Sequence, residues 1–588
     1  MELVLVALSG VQRFIAEARS TADLSAGSGL VSGLASAMVA AVPDRSELIF
    51  PADADHAGSG MPNRIAVLTR AGAGRELADA MANAALRRWE GWLRSAFHGS
   101  GPHDTPGFPA TQWVVVPLGT GGYRDGWARA QAMLAARKRI RDFPGYRVDQ
   151  QGICALTGRW AVVSSARAPK SAYNVRRNEA LSAVGHAKRW YGRAHGAGFP
   201  STWSIATAPY RDAIIRRGED DGDLWSAVAD LNQAVEALHE SIGETAAATM
   251  RRGSGALPGM RATDDDALGW LRELEGLWSV PDTWAPDGLR RDYDLSAEPP
   301  ARLCEDGRRA ALALARAAHE AGIPPLSPYL AVLAQDADRM GERLGAFPAD
   351  TGDPLGWHRS VSRALAGVAQ RQREAAESSA HLGRVVYAGG DDVLALLPAD
   401  RALAAARTVN QLFAEDDTLA ATLGSSSAST AIVFFHASWP LQSAVSAAQA
   451  LLKDAKERSR PGLGAAVLTR GGERTRVVLP WLDQRVSPER PMIGYLAELA
   501  AAISGPLSGR LASGLEDDRR GLAELGRDWL ERELSRRAAR HGVADEHVPA
   551  VGRTLAVLCG SAPGEQGFVD CADSVLVARF LAAQGRLS

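Results

Sequence analysis

The stretch RVVYAGGDDVLALLP, Arg384 to Pro398, sets two glycines and two aspartates between two almost uninterrupted apolar runs. The runs read as strands and Gly389-Gly390-Asp391-Asp392 as the turn joining them. Turn composition alone would ask for nothing more. The flanking sequence asks for more. Upstream lies a strand, "YLAVLAQ" from Tyr329, then a helical stretch and the helix "WHRSVSRALAGVAQRQREAAES". Downstream come a helix from Arg401, the strand "TAIVFF", the helix "LQSAVSAAQALLKDAKER", and the strands "GAAVLTR" and "RTRVVLP". This is β-α-β-β-α-β with an added hairpin, a ferredoxin-like unit. Its crossover makes the first and second strands parallel, with the third between them. The end of strand one, "AQDADRMGERLG", therefore shares a sheet edge with the turn, and Asp336 and Asp338 are expected beside Asp391 and Asp392.

Carboxylates gathered this way repel one another unless a cation or a shared proton compensates. Hard oxygen ligands suit Mg²⁺ or Mn²⁺, which bring substrate phosphates with them. Gly389 and Gly390 leave the turn bare, so a nucleotide can approach its backbone. Metals so held can activate a hydroxyl and stabilise a leaving oxygen at phosphorus. The expected chemistry is nucleotidyl transfer, with Asp336, Asp338, Asp391 and Asp392 as metal ligands.

The rest of the chain bounds the answer. Its 588 residues allow several domains, and a net charge of −2 with 23% charged residues gives no global sign of nucleic-acid or membrane binding. Four cysteines, Cys154, Cys304, Cys559 and Cys571, stand far apart in no CxxC pair, as reduced thiols in a cytoplasmic protein do. "MELVLVALSGVQRF" lacks the basic region and cleavage site of a signal peptide, and no apolar run reaches membrane-spanning length.

Leu3–Leu8 reads as a buried strand followed by a long helix carrying Val11, Phe14, Ile15 and Ala18. "ELIFP", "RIAVLT" and "QWVVVPL" are further strands, and "RELADAMANAALRRWEGWLRSAF" an amphipathic helix, so residues 1–145 form an α+β unit. Residues 146–205 lack clear periodicity. Residues 206–325 read as a helical module, with "RRGSGALPGMRATDDD" as a mobile loop. Residues 326–485 hold the ferredoxin-like unit, and residues 486–588 a helical domain rich in Ala, Leu and Arg. The fold class is α+β, multidomain.

The "YAGGDD" turn with its upstream "D-x-D-x-M-G" resembles the second palm domain of the Cas-ten family, the large subunit of type III CRISPR effector complexes. "SGVQRFIAEARSTADLSAGSGLVSGL" (Ser9–Leu34) resembles the first palm of the type III-B (Cmr) branch. "IFP", "MPNR" (Met61–Arg64), "FPSTWSIA" (Phe199–Ala206) and "TRGGERTRVVLPW" (Thr469–Trp481) are similar to the same branch. The resemblance implies two ferredoxin-like palms with helical modules. It also implies joining of ATP into cyclic oligoadenylates, the 3′-hydroxyl of one attacking the α-phosphorus of another. It implies Lys456 as a triphosphate contact and a first palm that binds the acceptor ATP without metal ligands. Ser9, Gly10 and Gln12 are candidates for that acceptor pocket.

Two departures from the resemblance stand out. The first palm strand begins at Leu3, so no N-terminal HD nuclease is expected, and His103-Asp104 reads as a loop. Where relatives carry two CxxC knuckles, this chain keeps Cys154 with Thr157, Ser182 and Gly185, so zinc is not expected and His186 reads as a surface or core residue. The basic clusters Ala135–Arg147 and Gly185–His195 read equally as contacts for guide or target RNA or as solvated helix faces. The resemblance further implies other type III-B subunits as partners, including the small helical subunit at the C-terminal region. A stand-alone GGDEF-like cyclase and a catalytically slow scaffold are alternatives at this stage.

Overall fold

The computed structural model describes the chain outside residues 55–59, 100–104, 141–151, 164–174, 176–178, 196–197, 244–254, 349–350, 425, 484–489, 504–508 and 587–588. Two antiparallel-based sheets organise it. The first has β1 (Glu2–Leu8), β2 (Glu47–Phe50), β3 (Arg64–Thr69) and β4 (Thr111–Pro117) in the order β2-β3-β1-β4. The second has β5 (Tyr329–Ala337), β6 (Arg384–Ala388), β7 (Asp392–Pro398), β8 (Ala428–His436), β9 (Gly462–Thr469) and β10 (Gly472–Pro480) in the order β10-β9-β8-β5-β7-β6. Strands β8-β5-β7-β6 repeat the arrangement of the first sheet, and β9 and β10 extend the edge beside β8. The chain thus contains two ferredoxin-like palms with helical modules around them.

The apolar character of β1 and β5 follows from cover on both faces. Val4, Val6 and Leu8 pack under α2 (Thr21–Ala40) and α3 (Gly74–Ala96), while Leu3, Leu5 and Ala7 pack with Trp127, Ala130 and Leu134 of α4 (Gly122–Arg139). Leu330, Val332 and Ala334 likewise belong to one core and Ala331 and Leu333 to another.

The two palms match in detail. Each first strand is followed by a six-residue helix, α1 (Val11–Ala16) and α6 (Met340–Gly345), entered through a left-handed residue, Gly10 at φ 72° and Arg339 at φ 54°. A long helix then crosses back, α2 in the first palm and α7 (Pro354–Ala376) in the second. The second-to-third strand pairing is offset at the same place in both, between Leu48 and Phe50 and between Val385 and Tyr387. Contact between the palms is reciprocal: α2 packs on β6, and α7 packs on β2.

Two sequence expectations change here. The helix after β1 is broken, because Ser20 and Asp23 form a capping box that starts α2 afresh, leaving Ala18 buried in the break. The loop expected to be mobile is packed where described, with Leu257 and Met260 buried and Gly255 seated against the Leu274 carbonyl. Helices between 492 and 586 form the C-terminal domain, which docks on β9 and β10 through helix Glu565–Arg586. No helix among the described residues is long and apolar enough to cross a membrane.

Candidate active site

A cavity of about 380 Å³ lies in the seam between the palms. From the second palm it is lined by Asp336, Tyr387, Gly389, Gly390, Asp391 and Asp392, and from the first by Gln12, Ser32, Phe50, Asn63, Arg64 and Lys138.

Sheet register accounts for the carboxylates. Asp336, one residue before the end of β5, is the Cα partner of Asp392, the first residue of β7. The turn is tied down by Ala337 N–H donating to the Asp391 carbonyl at 2.7 Å and by Gly389 N–H donating to the Asp392 carbonyl at 2.9 Å. Gly390 sits at φ 89°, a conformation that resists a side chain, and a Cβ on Gly389 would lie 3.0 Å from Asp392 Oδ1. Burial raises the Asp391 carboxyl to about 6, with the Asp336 charge adding to the effect. Asp392 is raised well above the usual range by burial and then by Asp391 and Asp336. The Tyr387 phenol is held protonated by burial and by the same three aspartates.

Crowded carboxylates of this kind draw positive charge, and their all-oxygen donors fit Mg²⁺ or Mn²⁺. Asp336, Asp391 and Asp392 are the residues that would hold it. Lys456, in the last turn of α9 (Leu441–Arg458), places Nζ 2.6 Å from Asp336 Oδ1 and donates to the Ala337 carbonyl at 3.1 Å.

The other expected residues divide. Gln12 lines the cavity; Ser9 and Gly10 do not. Ser9 Oγ donates to Gln112 Oε1 at 3.0 Å, so its hydroxyl ties β1 to β4. Asp338 drops out of the cavity as well: it is 3% exposed, and its carboxylate accepts from Ser429 Oγ at 2.8 Å and Ser427 Oγ at 3.1 Å. It fastens the end of β5 to β8. Cys154 is buried with Leu156 and Leu181, and Ser182 Oγ accepts from Gly185 N–H. His186 is a core residue packed edge-on to Phe97.

Of the basic cluster Gly185–His195, Lys188 and Arg189 are not solvated. Lys188 is fully buried and donates to the Phe14 and Glu17 carbonyls at 2.7 and 2.6 Å, while Arg189 pairs with Asp23 and Glu179. Of the cluster Ala135–Arg147, Lys138 reaches the cavity, and residues 141–147 lie outside the described residues, as does His103-Asp104.

Arg64, Lys138 and Phe50 were invisible to motif reading as site residues. Arg64 hydrogen-bonds Gln131 and lies close enough to Asp391 to feel its charge, while burial lowers its own pKa. It is the first residue of β3 and the Cα partner of Ala7, the positions that Asp392 and Asp336 hold in the other palm. Phe50 and Tyr387 are equivalent in the same way, each following the offset and each paired to the third residue of its neighbouring strand. The sequence signal for Arg64 was that "MPNR" stands where the second palm has "GGDD", while Phe50 lies in "IFP" and Lys138 in the basic cluster Ala135–Arg147.

A pair of palm domains of the nucleotidyl cyclase and polymerase type, with one acidic and one basic wall, is therefore the class this fold and site define. Residues 329–463 match the Cas10/Cmr2 second palm domain, and residues 3–117 match the N-terminal domain of the CRISPR-associated protein Cmr2. The CRISPR system Cmr subunit Cmr2 of Pyrococcus furiosus is 29% identical over 191 residues, a stretch that is 28% of this chain and 21% of that protein. Type III-B Cmr-beta in its apo state aligns with a TM-score of 0.62 at 14% identity, covering 98% of this chain and 81% of that one. Type III-B Cmr-beta bound to cognate target RNA aligns with a TM-score of 0.63 at 13% identity, covering 99% and 83%. The two domain matches, over residues 3–117 and 329–463, together with the curated Cmr2 relative, support a type III-B Cas10/Cmr2 large subunit.

Proposed function

We propose that this chain synthesises cyclic oligoadenylate from ATP as part of a type III-B effector complex engaged on target RNA. The observation that carries the reading is the cavity shared by the palms, with Asp336, Asp391 and Asp392 on one wall and Arg64, Lys138 and Gln12 on the other. Two nucleotides must meet for a 3′–5′ bond to form, and a seam between two like domains offers each a wall. Mg²⁺ or Mn²⁺ held by the three aspartates would polarise the α-phosphate and favour ionisation of the attacking hydroxyl.

The chain's own residues do the rest. Bare Gly389 and Gly390 admit the triphosphate to the metal wall, and Lys456 stands at its edge. Arg64 and Lys138 place positive charge on the opposite wall, so neither phosphate group faces like charge alone. Phe50 and Tyr387 offer ring faces to bases. In each step the 3′-oxygen bonds to the α-phosphorus, the bond to the β-phosphate oxygen breaks, pyrophosphate leaves, and the hydroxyl proton passes to solvent. The last such step closes the ring.

Guide and target RNA, and further Cmr subunits including a small helical one, are the partners this reading requires. It draws support from the likeness to Cmr-beta bound to target RNA. The test is a complex reconstituted with target RNA, ATP and Mg²⁺ or Mn²⁺. Cyclic oligoadenylate is expected from the wild type and none from Asp391→Ala with Asp392→Ala; full synthesis by the double variant would overturn the assignment.

A further inference from the structure

The Lys456 ammonium is paired with Asp336, one of the three carboxylates that would hold a metal ion. Its Nζ lies 2.6 Å from Asp336 Oδ1, and its side chain is 16% exposed. A bond to the Ala337 carbonyl holds the same nitrogen in place. Asp336 and Asp392 are strand partners and Asp391 is adjacent, yet among the described residues no three carboxylate, imidazole or thiol groups are gathered in ligating geometry.

We infer that Lys456 is a stand-in cation, holding Asp336 until a divalent ion arrives with a triphosphate. A carboxylate oxygen bound to a hard ion at about 2.1 Å cannot also keep an ammonium at contact distance without strong like-charge repulsion. Metal entry therefore displaces the lysine. Alone, that displacement strands a shielded ammonium and weakens metal binding. With a triphosphate present, the freed Nζ gains phosphate oxygens, so metal and nucleotide bind with positive coupling. Lys456 is thus a positioning residue that keeps the chain from loading metal without substrate. The inference rests on the metal-dependent reading above and adds to it an order of assembly.

Mn²⁺ binding to the full chain, followed by electron paramagnetic resonance with and without a non-hydrolysable ATP analogue, tests it. Lys456→Met keeps the length and removes the charge. Without nucleotide it is expected to bind Mn²⁺ about ten-fold more tightly than the wild type, the scale on which one adjacent opposite charge shifts a carboxylate's affinity for a proton. Its coupling between Mn²⁺ and the analogue should shrink, and Lys456→Arg should restore weak metal binding. Unchanged or weaker Mn²⁺ affinity in Lys456→Met would overturn the inference. Asp392→Asn separates the two levels: its expected loss of Mn²⁺ in both backgrounds shows that the carboxylates hold the ion. Retention of wild-type affinity by Asp392→Asn would overturn the metal reading itself.

Discussion

Mild acid should loosen the seam that builds the cavity, through His358. This residue on α7 is 0% exposed and wedged among Phe50, Tyr123 and Trp127 of the first palm and Phe347 and Trp357 of the second. Its Nε2 lies 2.8 Å from the Leu344 carbonyl, which can only accept, so Nε2 carries the proton. Nδ1 then accepts from the Tyr123 hydroxyl at 2.8 Å. The neutral ring is satisfied on both sides. Burial, with Arg64 adding to it, pushes the pKa down to about 4 against the bond to Leu344.

Because the folded value lies below the unfolded one, the unfolded chain binds the proton first as pH falls. Stability is therefore full above about pH 6.5 and is lost as pH falls towards 4. One such histidine costs about 1.4 kcal/mol at pH 5.5 and about 3 kcal/mol once pH reaches 4. The assay is urea unfolding followed by tryptophan fluorescence at pH 7.5 and 5.5 for the wild type and His358→Gln. The Trp127 ring, 4.0 Å from the imidazole, is the local reporter. Glutamine can donate to Leu344 but cannot titrate, so the variant should lose about 1.4 kcal/mol less than the wild type over that pH step. An equal loss in both proteins would refute the reasoning.

Two further outcomes are expected. Arg64→Ala should raise the KM for ATP in cyclic oligoadenylate synthesis by about ten-fold or more, since a desolvated phosphate contact is worth about 1.5–3 kcal/mol; Arg64→Lys should recover part, and an unchanged KM would remove Arg64 from the site. Lys188→Met should destabilise the chain by about 2–4 kcal/mol, because it leaves the Phe14 and Glu17 carbonyls without their donor inside the fold; denaturation within about 0.5 kcal/mol of wild type would contradict that role.

What was legible in the sequence had a local cause. The strands β5 to β10 follow from apolar runs bounded by turn residues, and the meeting of Asp336 with Asp391 and Asp392 follows from strand order, which the ferredoxin-like alternation dictates. What was not legible is decided by partners far along the chain. Asp338 has the same residue type and nearly the same position as Asp336, yet two serines on or beside β8 claim it. Lys188 looks like one more basic residue on a helix until the carbonyls at the end of α1 close around it. The break between α1 and α2 was readable in principle, since Ser20 and Asp23 have capping-box spacing, but the apolar run through Ala18 masked it.

The repeated palm accounts for the two walls of the cavity. The first palm keeps the six-residue helix, the left-handed entry and the aromatic after the offset, but has Ala7 and Arg64 where the second has Asp336 and Asp392. An aspartate placed at position 64 alone would not reproduce the carboxylate pair of the second palm, because its partner across the strands would still be alanine. The exchange does something else: two copies of one geometry present opposite charge to the same cavity. On the proposed reading, a triphosphate is neutralised partly by metal on one wall and partly by guanidinium and ammonium on the other. Activity then depends on the contacts that set the walls apart by a fixed distance. These are Arg359 with Glu47 at 2.8 Å, Arg363 with Asp53 at 2.9 Å, Ala52 N–H on Ser362 Oγ at 2.9 Å, and Tyr123 on His358. All four sit on or beside α7, the helix that packs on β2. The helix that crosses back over the second palm is thus also the brace that holds the opposite wall in place.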